Sequence, residues 1–91
     1  AKKLARTLVQ EKRVACVHLL PLGTSMYVWQ DQLQETPEIM MLIKTRPVHV
    51  ASLTRRIAEL HPYDVPEILT LDVSHGLPAY LQWLTEQTPH P

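Results

Sequence analysis

An α+β domain with the chain order βαββαβ is the fold class this sequence predicts, and three observations predict it. Apolar residues recur at helical spacing over the first nine positions. Two apolar, β-branched runs between residues 14 and 45 have the form of hairpin arms. A second helix, a further extended run and a last helix follow. The 91 residues, 45% apolar and 20% charged, make one domain spanning 1–91 with a single modest core.

Ala1, Leu4, Ala5, Leu8 and Val9 form one helical face, with Lys2, Lys3, Arg6 and Gln10 opposite. No Ser, Thr, Asp or Asn cap precedes them, so the sequence opens inside an element. Val14 to Leu20 is short and β-branched, which predicts a strand covered on both faces. Pro21-Leu22-Gly23 breaks it, and Thr24 to Gln30 continues with Tyr27 and Trp29 on one face and Met26 and Val28 on the other. The polar pair Asp31-Gln32 then predicts a hairpin turn. The return arm, Leu33 to Thr45, contains Pro37, which cannot donate to a ladder and belongs at a bulge or an edge, before the apolar run Ile39 to Ile43.

Thr45-Arg46-Pro47 predicts a helix entry, and Val50, Leu53, Ile57 and Leu60 repeat at three- and four-residue steps. Pro62 ends that helix near His61, at the negative end of its dipole. Glu67 to Val73 predicts a strand, with Ile68 on one side and Leu69, Leu71 and Val73 on the other. Pro78 opens the last helix, with Tyr80, Leu81, Trp83 and Leu84 as its apolar residues, and Thr88 to Pro91 is expected to fray.

A helix ahead of the first visible strand needs a strand to cross over from. With a strand before Ala1 the order becomes βαββαβ: a four-stranded antiparallel sheet backed by two helices, with the missing first strand at its centre and an extra C-terminal helix. The expectation is that the natural protein carries about ten or more further N-terminal residues, including that strand.

Nine basic side chains balance nine acidic ones, which gives no global pull toward nucleic acid or an anionic membrane. A single cysteine, Cys16, excludes an internal disulfide and a Cys-x-x-Cys site, and fits a reducing, cytoplasmic setting. No apolar run is long enough for a membrane span. The sequence holds no nucleophile elbow, P-loop, dinucleotide fingerprint or His-Glu-x-x-His, so no enzyme class is indicated.

Five blocks carry a specific resemblance: Val14-Ala15-Cys16-Val17 running into Pro21, Thr24 to Trp29, Leu42-Ile43-Lys44-Thr45, His61-Pro62-Tyr63-Asp64-Val65-Pro66-Glu67, and Tyr80-Leu81-Gln82-Trp83. In this order and spacing the chain resembles the CutA family of divalent-cation tolerance proteins. The resemblance implies a ferredoxin-like fold and a tight homotrimer, similar in architecture to PII signalling proteins and packed through long β-hairpins. It also implies an association with tolerance to copper and other divalent metals. In the bacterial member for which a copper site is described, that site takes a cysteine from the first strand and two adjacent histidines before the Pro-Tyr. Here Leu60 precedes His61, so of those ligands only His61 has a counterpart.

Several residues are candidates for chemistry, each with a plainer alternative. His61 is a metal ligand or general base, or a helix-capping side chain. Cys16 and His18 project from one strand face and suit a soft ion such as Cu(I); equally, Cys16 is a small hydrophobe in an apolar strand. Tyr27 and Trp29 line a cleft between subunits or simply fill an interface. Lys44, Tyr63 and Glu67 build a hydrogen-bonded pocket there, or an ion pair tethering strand ends.

The function expected is a homotrimer that binds a copper or other divalent ion, or a small ligand, at inter-subunit clefts. The alternative is a PII-like signalling or protein-interaction trimer without direct metal binding. Self-association is the expected partnership, with neither nucleic acid nor membrane.

Overall fold

The computed structural model describes residues 1–61 and 66–89. The first helix, α1 (Lys2–Gln10), has no side-chain cap at Ala1. It closes where the Glu11 amide donates to the Thr7 carbonyl at 3.0 Å and Lys12 turns left-handed at φ 60°. The chain then enters a long bent hairpin. Its base pairs β1 (Cys16–Leu19) with β4 (Met41–Lys44), and its arm pairs β2 (Gly23–Trp29) with β3 (Gln32–Glu38), both antiparallel. Pro21 lies at the bend, where the ladder is interrupted; the Leu20 amide donates to the Met40 carbonyl at 3.0 Å just before it.

Pro37 pairs with Thr24 in a two-stranded ribbon, so its missing donor faces no third strand among the described residues. This is the edge position expected for it. The turn falls one residue earlier than the sequence predicts: Trp29 pairs with Gln32, which leaves Gln30 and Asp31 as the loop, with φ of 51° and 63°. Positive φ at both central positions is the form whose twist matches the flanking strands.

Pro47–His49 forms a 3₁₀ turn that feeds α2 (Val50–Leu60). Proline suits this first turn because its missing N–H would be an orphan there anyway. Leu53 and Ile57, four apart on α2, are buried with Leu8 of α1 and Val14, and Leu4, Val17, Ile43 and Ile68 pack against them. Val17 and Ile43 are a cross-strand pair, so both helices cover the same face of the hairpin base. The result is an α+β architecture of the ferredoxin-like kind, built from small antiparallel sheets and helices.

One element differs from its expectation. Residues 67–73 are not a strand. Ile68 reaches the core, but Leu69, Leu71 and Val73 are 79%, 86% and 80% exposed. Their alternation is that of a strand; among the described residues no neighbouring backbone completes a ladder, and an extended run without that pairing is not a strand. Among the described residues the strand pairing is therefore that of the bent hairpin, as the two two-stranded ribbons β1–β4 and β2–β3.

The chain ends in α3 (Pro78–Gln87), which buries none of its residues. Thr88, expected to fray, is fully buried instead, because its side chain and carbonyl are held by Arg46. No helix among the described residues is long and apolar enough to cross a membrane.

Candidate functional site

The face of the hairpin base turned away from the helices carries Cys16 and His18 on β1 and Leu42 and Lys44 on β4, since side chains alternate along a strand. Cys16 and Lys44 are direct cross-strand partners, and the Lys44 ammonium donates to Cys16 Sγ at 3.7 Å. The thiol is half-buried, and His18, two residues on, is exposed. An ammonium beside the sulfur competes with a metal ion, because both are cations seeking the same lone pairs.

Among the described residues, no three His, Cys, Asp or Glu side chains are placed to hold an ion together. The described residues of one chain therefore do not fit a closed divalent-metal site, which takes four or more ligands. His61 occupies the C-terminal cap of α2. Its backbone amide donates to the Ile57 carbonyl at 2.9 Å and its half-buried ring lies at the carbonyl end of the helix, where a cation is favoured.

The cleft candidates are dispersed within the chain. Tyr27 and Trp29 share one face of β2, opposite Gln34 and Gln32, and are 44% and 61% exposed. Glu67 is exposed and makes no ion pair among the described residues, while Lys44 turns to Cys16. Tyr63 lies outside the described residues.

Two polar constellations escape reading by motif. Half-buried Arg46 and the buried His49 and Thr88 form a cluster where α3 ends against the start of α2. Glu11, Arg13, Ser52, Arg55, Arg56 and Glu59 line an open groove of about 400 Å³ between the end of α1 and α2. In that groove Arg56 grips Glu11 with two nitrogens, Nε at 3.1 Å from Oε1 and Nη2 at 2.6 Å from Oε2, and Arg13 Nε donates to Oε1 at 3.2 Å. The hydrogen bonds from Arg56 hold the Glu11 carboxyl below the ordinary carboxylate range, with Arg13 acting in the same direction and partial burial opposing. Reciprocally, Glu11 raises Arg56 further above its usual value. The signal for this groove is present in the sequence as charge placement: eight of the nine basic residues fall in 1–13 and 46–60.

Comparison with known proteins follows the same lines as the fold. The family model described as CutA1 divalent ion tolerance protein matches residues 1–87. A CutA homolog from Xenopus laevis is 42% identical over 89 residues, covering 98% of this chain and 59% of that protein. The crystal structure of CutA from Xylella fastidiosa superposes with a TM-score of 0.94 at 45% identity, covering 98% of this chain and 86% of the other. A PII-like protein CutA from Nostoc, solved in apo form, gives a TM-score of 0.91 at 32% identity, again with 98% and 86% coverage. The chain spans between 49% and 59% of the length of its relatives from Xenopus laevis, Mus musculus and Bos taurus.

Proposed function

The chain belongs to the CutA1 divalent ion tolerance family, and from that premise we propose that it works as a non-catalytic homotrimer in divalent-metal tolerance, capturing an ion or a small ligand between subunits. The observation that carries this reading is the hairpin arm. Met26, Val28, Trp29 and Leu33 are between 61% and 68% exposed on a two-stranded ribbon whose edges are both unpaired among the described residues. Apolar side chains and unpaired strand edges of this kind are stable in water when neighbouring copies cover them. Cys16, His61 and the cleft candidates Tyr27, Trp29, Lys44, Tyr63 and Glu67 are the side chains this reading assigns to the inter-subunit sites, where threefold symmetry would multiply ligands too few in one chain.

A second reading has its own support. The Lys44 ammonium on Cys16 opposes cation capture at that point, and the similar protein from Nostoc is a PII-like protein. This favours a trimer that signals through a small ligand or a protein partner without holding metal itself.

Native mass spectrometry decides between them. The protein is measured alone and after titration with Cu(I), Cu(II) and Zn(II), beside His61→Ala. A trimer taking up a fixed number of ions, and losing them in the variant, supports the metal reading at His61. A trimer that stays bare at low micromolar metal supports the second, and a monomer at all concentrations overturns both.

A further inference from the structure

The zero net charge conceals a strong segregation. Residues 1–13 and 46–60 carry eight basic side chains and only two acidic ones, Glu11 and Glu59; the rest of the chain carries seven acidic side chains and a single lysine, Lys44. The first set belongs largely to α1, α2 and the turns bounding them, so the helical layer is positive and the hairpin and C-terminal segment negative. The groove of about 400 Å³ between the end of α1 and α2 lies within the positive layer, and its volume is that of a small-ligand site.

Within that groove the guanidinium donors outnumber their acceptors. Arg56 spends Nε and Nη2 on Glu11, and its Nη1 stands 3.5 Å from Glu59. Arg13 spends only Nε. Arg55 makes no hydrogen bond or ion pair among the described residues, although it lines the same groove. A guanidinium offers five N–H donors in a fixed fork, which suits a tetrahedral oxyanion with several acceptor oxygens. Glu11 already occupies the position such an anion would take between Arg13 and Arg56, as a built-in carboxylate substitute.

We propose that this groove binds a compact, multiply charged phosphate anion of the diphosphate type, with Arg55 and the free edges of Arg13 and Arg56 as its donors. The site is separate from the hairpin and from the Cys16–Lys44 face, so it stands whether or not the chain captures metal. Its charge excess is local, and the anion it takes is small: Glu11 at the C-cap of α1 and Glu59 on α2 interrupt the positive surface that a nucleic-acid backbone would need to follow.

The test is calorimetric titration of inorganic pyrophosphate into the full chain at low salt, with sodium chloride at matched ionic strength as the control. Saturable binding at one site per chain is expected, weakened about tenfold in Arg55→Gln by loss of a charge-assisted contact. Glu11→Gln is expected to tighten binding, because it frees Arg13 and Arg56 from a competing carboxylate. That is opposite in sign to anything a purely structural role for Glu11 would give. Lys3→Gln, in the same positive layer but outside the groove, should bind as the parent does. The proposal is overturned by absence of saturable heat, by full affinity in Arg55→Gln, by an equal loss in Lys3→Gln, or by displacement with chloride at matched ionic strength. Arg55→Gln removes no described intramolecular contact, so its result stands even if Glu11→Gln fails to fold.

Discussion

Arg46 and Thr88, 42 positions apart, are joined by two hydrogen bonds: Arg46 Nε donates to Thr88 Oγ1 at 2.9 Å, and Nη2 donates to the Thr88 carbonyl. His49 is buried beside them. Its Nε2 donates to the same carbonyl at 3.2 Å in one tautomer, or accepts from Arg46 at 3.4 Å in the other, but one nitrogen cannot do both. The Thr88 hydroxyl passes the chain on by donating to the Leu84 carbonyl at 2.8 Å. Since α3 buries none of its own residues, this cluster is the principal described anchor of the C-terminal helix.

Thr88→Val therefore leaves a half-buried guanidinium without its hydroxyl acceptor. We expect a loss of about 1–2 kcal/mol in chemical denaturation, with faster amide exchange confined to 78–87. Exchange that accelerates evenly over the chain would mean that the cluster holds more than α3.

The apolar core is small, so each member counts. Leu8→Ala should cost about 2–5 kcal/mol, because Leu8 is fully buried at the junction of α1, α2 and the hairpin base. Leu69→Ala, at a position 79% exposed, should change the stability of an unassembled chain by less than about 0.5 kcal/mol. Equal costs at the two positions would show that residues 67–73 are buried in solution.

Acid should reach the α1–α2 junction through Glu11. Its carboxyl titrates lower in the folded chain than in the unfolded one, so the folded state binds fewer protons. The stabilisation it gives is present above the ordinary glutamate value of about 4.3 and is lost as pH falls through the lower folded value. Denaturation followed across that window should be flatter in Glu11→Gln than in the parent. Identical pH profiles would remove Glu11 as the linked group.

The hairpin turn uses two residues that adopt positive φ at a cost. Replacing Gln30 with Asn and Asp31 with Gly supplies the pair preferred in this turn and should add about 0.5–1 kcal/mol to stability, read as an upward shift of the denaturation midpoint. A downward shift would show that the side chains of Gln30 and Asp31 contribute contacts of their own.

Much of the fold is legible in the sequence because periodicity reports burial directly. Leu4 and Leu8, and Leu53 and Ile57, at four-residue steps, mark the helical faces that reach the core, and Pro47 marks the entry to α2. The turn was displaced by one residue because Asp31-Gln32 and Gln30-Asp31 are equally polar, and only the register of Trp29 against Gln32 distinguishes them. Of the candidate site, Cys16 and Lys44 are close in space because antiparallel pairing sets them opposite each other, a relation fixed by register and not by either residue's neighbours in the chain.

What the sequence determined alone is local: which residues form helices, which run extended, which side of each is apolar, and, through its ordered motifs, the family to which the chain belongs. What the tertiary structure decided is everything that depends on partners distant in the chain. It left Leu69, Leu71 and Val73 exposed despite their alternation, buried Thr88 against Arg46, and gathered Arg13, Arg55 and Arg56 around Glu11. Periodicity is a property of one segment, whereas a strand's ladder, a buried hydrogen bond and a charge cluster each require a second segment to arrive, and only the packed chain specifies which one does.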